Sequence, residues 1–95
     1  MRIPKTVVIA GHTITIKYKK EIIYNGSNCW GLYCDDKHII YLKMGMEKSR
    51  KSEVFLHECI HAIEFIHNLK LSEKSVNLLG IELFAFIRNN KIRLV

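Results

Sequence analysis

The sequence predicts an α+β domain in which a small antiparallel β-sheet is followed by two packed helices. Two patterns predict this fold class: short β-branched or alternating segments fill the first half of the chain, and two segments of helical periodicity fill the second half. No repeat or linker separates the halves. With 95 residues, of which 48% are hydrophobic, the chain has the size and composition of one globular domain spanning residues 1–95.

Short strands account for the first half of the chain. We expect them at residues 6–9, 13–19, 30–33 and 38–42. In the second of these strands, Ile14, Ile16 and Tyr18 alternate with polar residues, which predicts one buried and one exposed face. Gly11 suits the turn before this strand, and Asp35–Lys37 suits the turn of a second hairpin.

Two amphipathic helices account for the second half. The first helix carries an apolar stripe over residues 54–66. Ser49 is its expected N-cap, and Asn68 suits a left-handed C-terminal cap. In the second helix, Ser72 is the expected N-cap, and the periodic pattern continues to Asn89–Asn90.

The net charge of +6 does not by itself indicate a nucleic-acid partner. The cations form three separated groups, which are Lys17/Lys19/Lys20, Lys48/Arg50/Lys51 and Arg88/Lys91/Arg93. Because aromatic residues are not interleaved with them on one face, we favour a solvated surface over a nucleic-acid interface. A membrane-spanning role is excluded, since no apolar run approaches the roughly 18 residues that cross a bilayer.

The N-terminus and the cysteines favour a cytoplasmic protein. Residues 1–5 lack the apolar core and cleavage site of a secretory signal. Cys29, Cys34 and Cys59 form an odd and sparse set, so we expect reduced thiols instead of a disulfide framework. A second metal site built from Cys29, Cys34 and His38 is disfavoured, because the spacing fits no common zinc knuckle and a fourth ligand is missing.

A motif with metal-binding chemistry lies inside the first predicted helix. Residues 57–61 read His-Glu-Cys-Ile-His, an HExxH sequence. His57 and His61 lie about 40° apart on one helical face, so both imidazoles can reach one metal ion. Glu58 is rotated by about 100° from His57, where it can act as general base toward a metal-bound water without binding the metal. With one further carboxylate, this set suits a zinc ion that keeps its fourth position open.

Four residues are candidates for the third zinc ligand. His67 has the spacing of an extended HExxHxxGxxH motif, but Glu64 stands at the glycine position, and a helix that continues through Glu64 points His67 away. Glu64 lies one turn beyond His61 and could assist as a hydrogen-bond partner. Glu73 begins the second helix on the face expected to be buried, whereas Glu82 lies about 180° away. Of the four, Glu73 is the expected ligand.

These segments resemble those of a known group of proteins. Residues 56–63, LHECIHAI, resemble the LHExxHAI active-site helix of small gluzincin-type metallopeptidase-like proteins found in phages and prophages, and more distantly of the ImmA/IrrE family. Residues 73–77, EKSVN, resemble the ExxAN segment of that group, with Val76 in place of alanine. The similarity covers residues 31–90.

The resemblance implies a minimal zincin-like fold in which His57, His61 and Glu73 bind one Zn²⁺ per chain and Glu58 is the general base. It implies a zinc metallopeptidase, a hydrolase that cleaves peptide bonds of a protein or peptide substrate. It also implies that the strand at residues 38–42, which precedes the active-site helix, pairs with an extended substrate.

Two other functions are compatible with the sequence. A zinc-stabilised, non-catalytic protein-binding module would use the same scaffold and metal without hydrolysis. A basic nucleic-acid-associated protein would use the positive charge instead, and its affinity would fall as salt rises. For the peptidase, the sequence offers Tyr33, His38 and Tyr41 as candidates to stabilise the oxyanion, and nothing in their spacing selects one.

Overall fold

The computed structural model describes residues 1–92, in which strands precede helices as predicted. The elements are β1 (Thr6–Ile9), β2 (His12–Lys19), β3 (Ile23–Tyr24), β4 (Ser27–Asn28), β5 (Gly31–Cys34), β6 (Ile39–Lys43), α1 (Lys48–Ile66) and α2 (Glu73–Asn89). The predicted α+β class is confirmed. Within the described range, neither helix combines the length and the apolarity that a membrane crossing requires.

The main sheet has four strands in the order β1-β2-β6-β5. β1 pairs antiparallel with β2, and β5 pairs antiparallel with β6. β2 and β6 are parallel, so the sheet is mixed, whereas we expected only antiparallel pairs. The reason is the connection: after β2 the chain passes through the small β3–β4 hairpin and returns as β5, so that β6 enters the sheet beside β2 in the same direction.

The hydrophobic core lies between this sheet and α1. Its buried members come from β2, β6 and α1, and they are Ile14, Ile16, Ile40, Leu42, Phe55 and Ala62. The predicted alternation in β2 is confirmed for Ile14 and Ile16. Tyr18, expected on the same face, is instead 44% exposed, with the Lys51 ammonium 5.8 Å from its ring centroid.

The helix ends follow local capping chemistry with one exception. α1 begins at Lys48 with Glu47 at the cap position and without a side-chain cap, so the predicted N-cap at Ser49 is wrong. Asn68 has a φ of 55°, which confirms the left-handed residue after α1. Ser72 accepts a 3.1 Å hydrogen bond from the Ser75 backbone N–H, which confirms it as the N-cap of α2.

Close helix packing brings the start of α2 beside the middle of α1. Val76, Gly80 and Phe84 are the buried residues of α2. A Cβ atom at Gly80 would lie 3.3 Å from the backbone nitrogen of His57 and 3.3 Å from the carbonyl oxygen of Glu53. A glycine therefore lets the two backbones approach at the level of the HExxH motif.

Candidate metal centre

Three side chains from the two helices converge on one point. The Nε2 atoms of His57 and His61 are 3.1 Å apart. The Glu73 carboxylate spans both imidazoles, with Oε1 2.8 Å from His57 Nε2 and Oε2 3.4 Å from His61 Nε2. Within residues 1–92, these three form the group of His, Cys, Asp or Glu side chains that could hold a metal ion.

The spacing of these atoms fits a tetrahedral zinc ion. Two ligand atoms held 2.0–2.1 Å from a tetrahedral zinc are about 3.3 Å apart. The 3.1 Å between the two imidazole nitrogens and the 3.4 Å between His61 Nε2 and Glu73 Oε2 lie close to that value, and the second carboxylate oxygen, Oε1, lies 2.8 Å from His57 Nε2. Two imidazoles and one carboxylate are also the donor set of zinc sites that keep a position open for water or substrate. The residues present therefore fit a catalytic type of zinc site.

The two histidines are held differently from the glutamate. His57 and His61 are neighbours on α1, with ring centroids 4.7 Å apart, and their side chains are 18% and 30% exposed. Glu73 sits in the first turn of α2 and its side chain is 71% exposed. The face that Glu73 shares with Val76, Gly80 and Phe84 is buried as expected, but Glu73 itself is exposed, because it stands in the first turn of α2 and its carboxylate reaches over the imidazoles from there.

Burial also affects the protonation of His57. Desolvation lowers the pKa of His57 below its ordinary value, while the nearby Glu73 carboxylate opposes that shift. The desolvation dominates, so the neutral imidazole is favoured. A neutral imidazole is the form that can offer a lone pair to a metal ion.

Glu64 orients His61 and ties α1 to the segment that leads into α2. Its Oε1 is 2.8 Å from His61 Nδ1, and its Oε2 accepts a 2.7 Å hydrogen bond from the Leu71 backbone N–H. This hydrogen bond to Leu71 is the largest cause that lowers the pKa of Glu64. Since an ionised carboxylate only accepts, Nδ1 of His61 carries the proton and Nε2 presents its lone pair to the cluster.

The other candidate ligands lie outside the cluster. α1 continues without a break through Glu64 to Ile66, and His67 follows as an exposed residue. Glu82 is exposed in the middle of α2. Helical phase predicted that His67 and Glu82 would both lie away from the two histidines. Glu73 is the carboxylate that lies beside His57 and His61.

Glu58 is a buried carboxylate beside the cluster. It is 6% exposed, and desolvation raises its pKa to about 7. The electrostatic influence of the His61 ring and a backbone hydrogen bond from Tyr33 oppose this rise, while the Glu73 carboxylate adds to it. An acid whose pKa lies near neutrality can both accept and release a proton, which is the property required of a general base.

The cluster and Glu58 share one open cleft of about 1250 Å³. Its walls are β5, the side of α1 from Arg50 to Phe65, and residues Glu73, Asn77 and Ile81 of α2. Gly31 of β5 passes close to α1, since a Cβ there would lie 2.6 Å from Val54 Cγ1 and 3.1 Å from Glu58 Cγ. The strand beside the motif is thus β5.

The position of β5 corrects the predicted substrate strand. β6, which contains residues 39–43, is hydrogen-bonded to β2 on one side and to β5 on the other, so it has no open edge. Of the two edge strands, β1 and β5, it is β5 that lines the cleft. Because the Trp30 carbonyl accepts a hydrogen bond from the Lys43 N–H, alternation places the backbone groups of Gly31 and Tyr33 on the open side of β5.

Of the three candidates for oxyanion stabilisation, Tyr33 lines the cleft. Its hydroxyl is buried without a hydrogen-bond partner, and its ring packs edge-on against Phe65 at 6.2 Å. His38 is stacked on His12 at 5.5 Å, and Tyr41 lies under the Lys19 ammonium at 4.8 Å. Neither His38, in the turn before β6, nor Tyr41, in β6, lines the cleft.

The cysteines do not extend the metal cluster. Cys29, Cys34 and Cys59 are free thiols. Cys34 Sγ donates a 2.9 Å hydrogen bond to Asp36 Oδ1, which raises the pKa of the thiol. Burial raises the pKa of Cys59 to about 12, so this residue of the HExxH motif is an inert, largely apolar contact.

Comparison with known proteins adds no relative. The chain matches no family model, no curated protein and no solved structure. The resemblance of residues 31–90 to phage and prophage metallopeptidase-like proteins remains a prediction from their motifs. The geometry of His57, His61 and Glu73 stands independently of that resemblance.

Proposed function

We propose that this protein is a zinc-dependent metallopeptidase that hydrolyses peptide bonds of a protein or peptide substrate. The observation that carries the proposal is the buried Glu58 carboxylate in the same cleft as the His57, His61 and Glu73 cluster. A structural zinc site would need four protein ligands and no neighbouring base. Three ligands and a general base are the components of metal-assisted hydrolysis.

Each residue of the cleft has a role in this proposal. His57, His61 and Glu73 would hold one zinc ion, which when bound supplies a Lewis acid that polarises a carbonyl and acidifies water. Glu58 takes the proton from the attacking water and returns it to the leaving amine. Glu64 fixes the ring of His61 and the proton on its Nδ1.

Substrate would bind as an extended segment along β5. The outward backbone groups of Gly31 and the outward carbonyl of Tyr33 can pair with one more strand beside Glu58, while the Tyr33 N–H is hydrogen-bonded to the Glu58 carboxylate. This pairing would fix the main chain of the substrate without selecting its side chains. It would also place the substrate on the open side of β5, in the cleft that contains the cluster.

A second function, a zinc-stabilised protein-binding module without catalysis, is favoured by the surface of α2. Leu78 and Phe86 are 55% and 56% exposed, and Leu79 and Leu83 are more than 40% exposed. Exposed apolar residues on one helix are typical of a surface that another protein covers. This module would keep the metal and bind its partner whether or not Glu58 is present.

The experiment that separates the two functions combines metal content with peptide hydrolysis. We expect about one zinc per chain in the wild type and in Glu58→Gln, with loss of zinc from Glu73→Ala but not from Glu82→Ala or His67→Ala. Glu58→Gln should lower hydrolysis of a quenched-fluorescence peptide library by at least about a hundredfold. Equal hydrolysis by Glu58→Gln and wild type would rule out the peptidase, and wild-type protein without zinc would rule out both functions.

A further inference from the structure

We propose that the cleft selects substrate segments whose charge changes sign across the cleaved bond, with basic residues on the N-terminal side and acidic residues on the C-terminal side. The inference rests on the proposed function, since it assigns a substrate class to the same cleft. It is carried by the Arg50 guanidinium at one end of the cleft, which has no carboxylate within 4.0 Å among the described residues, and by the Asp35 and Asp36 carboxylates at the other end.

One end of the cleft, here called the cationic end, carries the Arg50 guanidinium against the ring of Trp30, whereas Lys43, which contacts the same ring, does not line the cleft. Trp30 is 48% exposed, and both the Arg50 guanidinium and the Lys43 ammonium lie 5.0 Å from its ring centroid. Over the described residues, neither cation has a carboxylate within 4.0 Å, although Glu53 lines the same part of the cleft. Arg50 therefore has free donors in a planar fork, which suits a substrate carboxylate.

The other end of the cleft is acidic. Asp35 and Asp36 follow β5 directly, and both line the cleft. Asp36 is held by the hydrogen bond from Cys34 Sγ, so this carboxylate keeps a defined place in the turn. Lys37 follows in the turn but does not line the cleft. Two carboxylates here favour a basic substrate residue and repel an acidic one.

The two ends lie on opposite sides of Glu58. β5 begins beside Trp30, passes Val54 and Glu58 at Gly31, and reaches Phe65 at Tyr33. α1 runs the same way, from Arg50 past the HExxH motif to Phe65. The buried Glu58 carboxylate thus stands between the cationic end and the acidic end.

Helix and strand dimensions give the distance of the charged subsites from the cleaved bond. Arg50 precedes His57 by seven residues, which is about 10 Å along a helix. An extended peptide covers this distance in about three residues. Asp35 and Asp36 lie two and three residues beyond Tyr33, so the basic substrate residue is expected about two or three residues from the bond on the other side.

The direction of the bound segment follows from strand pairing. Antiparallel pairing is slightly more stable per residue than parallel pairing. β5 runs from the cationic end to the acidic end, so an antiparallel segment places its N-terminal side beside Asp35 and Asp36. Its C-terminal side then lies beside Arg50, which fixes the order of charges as basic before acidic.

The test measures binding separately from cleavage. Two fluorescent twelve-residue peptides share one composition and differ only in charge order, one with lysines before and aspartates after a central apolar segment and the other reversed. Each is titrated with zinc-loaded Glu58→Gln protein at low salt. Because each exposed ion pair contributes up to about fivefold in affinity, we expect the Lys-before-Asp peptide to bind at least about tenfold tighter.

Charge variants of the exposed ends identify the groups responsible. Arg50→Glu, and separately the double change Asp35→Lys with Asp36→Lys, should each remove most of the preference. Lys48→Glu makes the same charge change at a residue that lines a separate groove, and it should leave the preference unchanged. Equal binding of the two peptides, the opposite preference, or no binding of either peptide would overturn the inference.

Cleavage of the same peptides by the wild type distinguishes this inference from the proposed function. A charge preference in binding without any cleavage would leave the charged cleft in place and refute the peptidase. Cleavage of both peptides at equal rates would support the peptidase and refute the charge selection.

Discussion

The two helices contribute to the metal centre under different structural constraints. α1 packs against the sheet on one side and against α2 on the other, and its imidazoles are 18% and 30% exposed. Among the described helices and strands, α2 contacts α1 alone, and its Glu73 side chain is 71% exposed. Two ligands are therefore fixed by the core, whereas the position of the third depends on how firmly α2 packs against α1.

Metal loading should therefore stabilise α2 more than α1. Zinc at about one hundred times its Kd would stabilise the fold by about 2.7 kcal/mol. In a domain of this size that corresponds to an increase in Tm of roughly 10–20 °C. Hydrogen exchange should slow most in α2, because a zinc ion bound by His57, His61 and Glu73 cross-links α2 to the better packed α1.

The measurement is calorimetry and amide exchange with zinc and with excess chelator. His57→Ala serves as the control, since it removes a ligand from α1 and should abolish both effects of zinc. The same increase in protection throughout α1, α2 and the sheet would contradict the unequal anchoring of the helices. An unchanged Tm would contradict zinc binding to the folded state.

The local part of the site was predictable from the sequence. The HExxH spacing places His57 and His61 on one helical face whatever the tertiary structure, and Ser72 fixes the start of α2 by its own capping bond. The prediction of Glu73 over Glu82 and His67 also used helical phase, since His67 points away from a continuous first helix and Glu82 lies about 180° from Glu73. The exposure of Glu73 was not predictable, because it depends on which turn of α2 reaches the rim of the cleft.

The nonlocal part of the fold required the structure. Alternation predicted the strands but not their order, since the same pattern suits an antiparallel or a mixed sheet. The substrate strand was therefore assigned to residues 38–42 when β5 is the open edge. The hydrogen bond between Glu64 and the Leu71 N–H was likewise not predictable. It joins the first helix to the connection that follows it, and helical phase gives no information about the conformation of that connection.

Glu64→Gln tests the link between the two helices. Glutamine has one carbonyl oxygen, so it cannot accept hydrogen bonds from both His61 Nδ1 and the Leu71 N–H as the carboxylate does. We expect zinc affinity to fall about tenfold to a hundredfold, in the range typical for partners of ligating histidines. Competition with a chromophoric chelator measures it.

Glu82→Gln is the matched control for this change. It removes the same charge from an exposed position of α2 that lies outside the cluster, and zinc affinity should stay within about twofold. If Glu64→Gln and Glu82→Gln weaken zinc binding equally, the effect of Glu64 is one of net charge and the proposed orientation of His61 is refuted.

Gly80→Ala should have the smallest effect on stability and zinc affinity, because a gain in helix propensity and a steric overlap oppose each other at this residue. Alanine favours a helix interior over glycine by about 1 kcal/mol. Its Cβ would lie 3.3 Å from the backbone nitrogen of His57 and the carbonyl oxygen of Glu53, and backbone atoms cannot turn aside as a side chain does. Overpacking of this kind costs roughly 1–3 kcal/mol, so the steric term should equal or exceed the gain in propensity.

Two measurements separate the propensity gain of Gly80→Ala from its steric cost. The free energy of unfolding without zinc should fall by at most about 2 kcal/mol, while zinc affinity should fall several-fold because α2 shifts away from His57. Asn89→Ala raises helix propensity at the exposed end of α2 and should leave zinc affinity unchanged. Higher stability with unchanged zinc affinity in Gly80→Ala would mean that α2 tolerates a wider spacing. The position of Glu73 would then depend on its own first turn and on the metal instead of on the contact at Gly80.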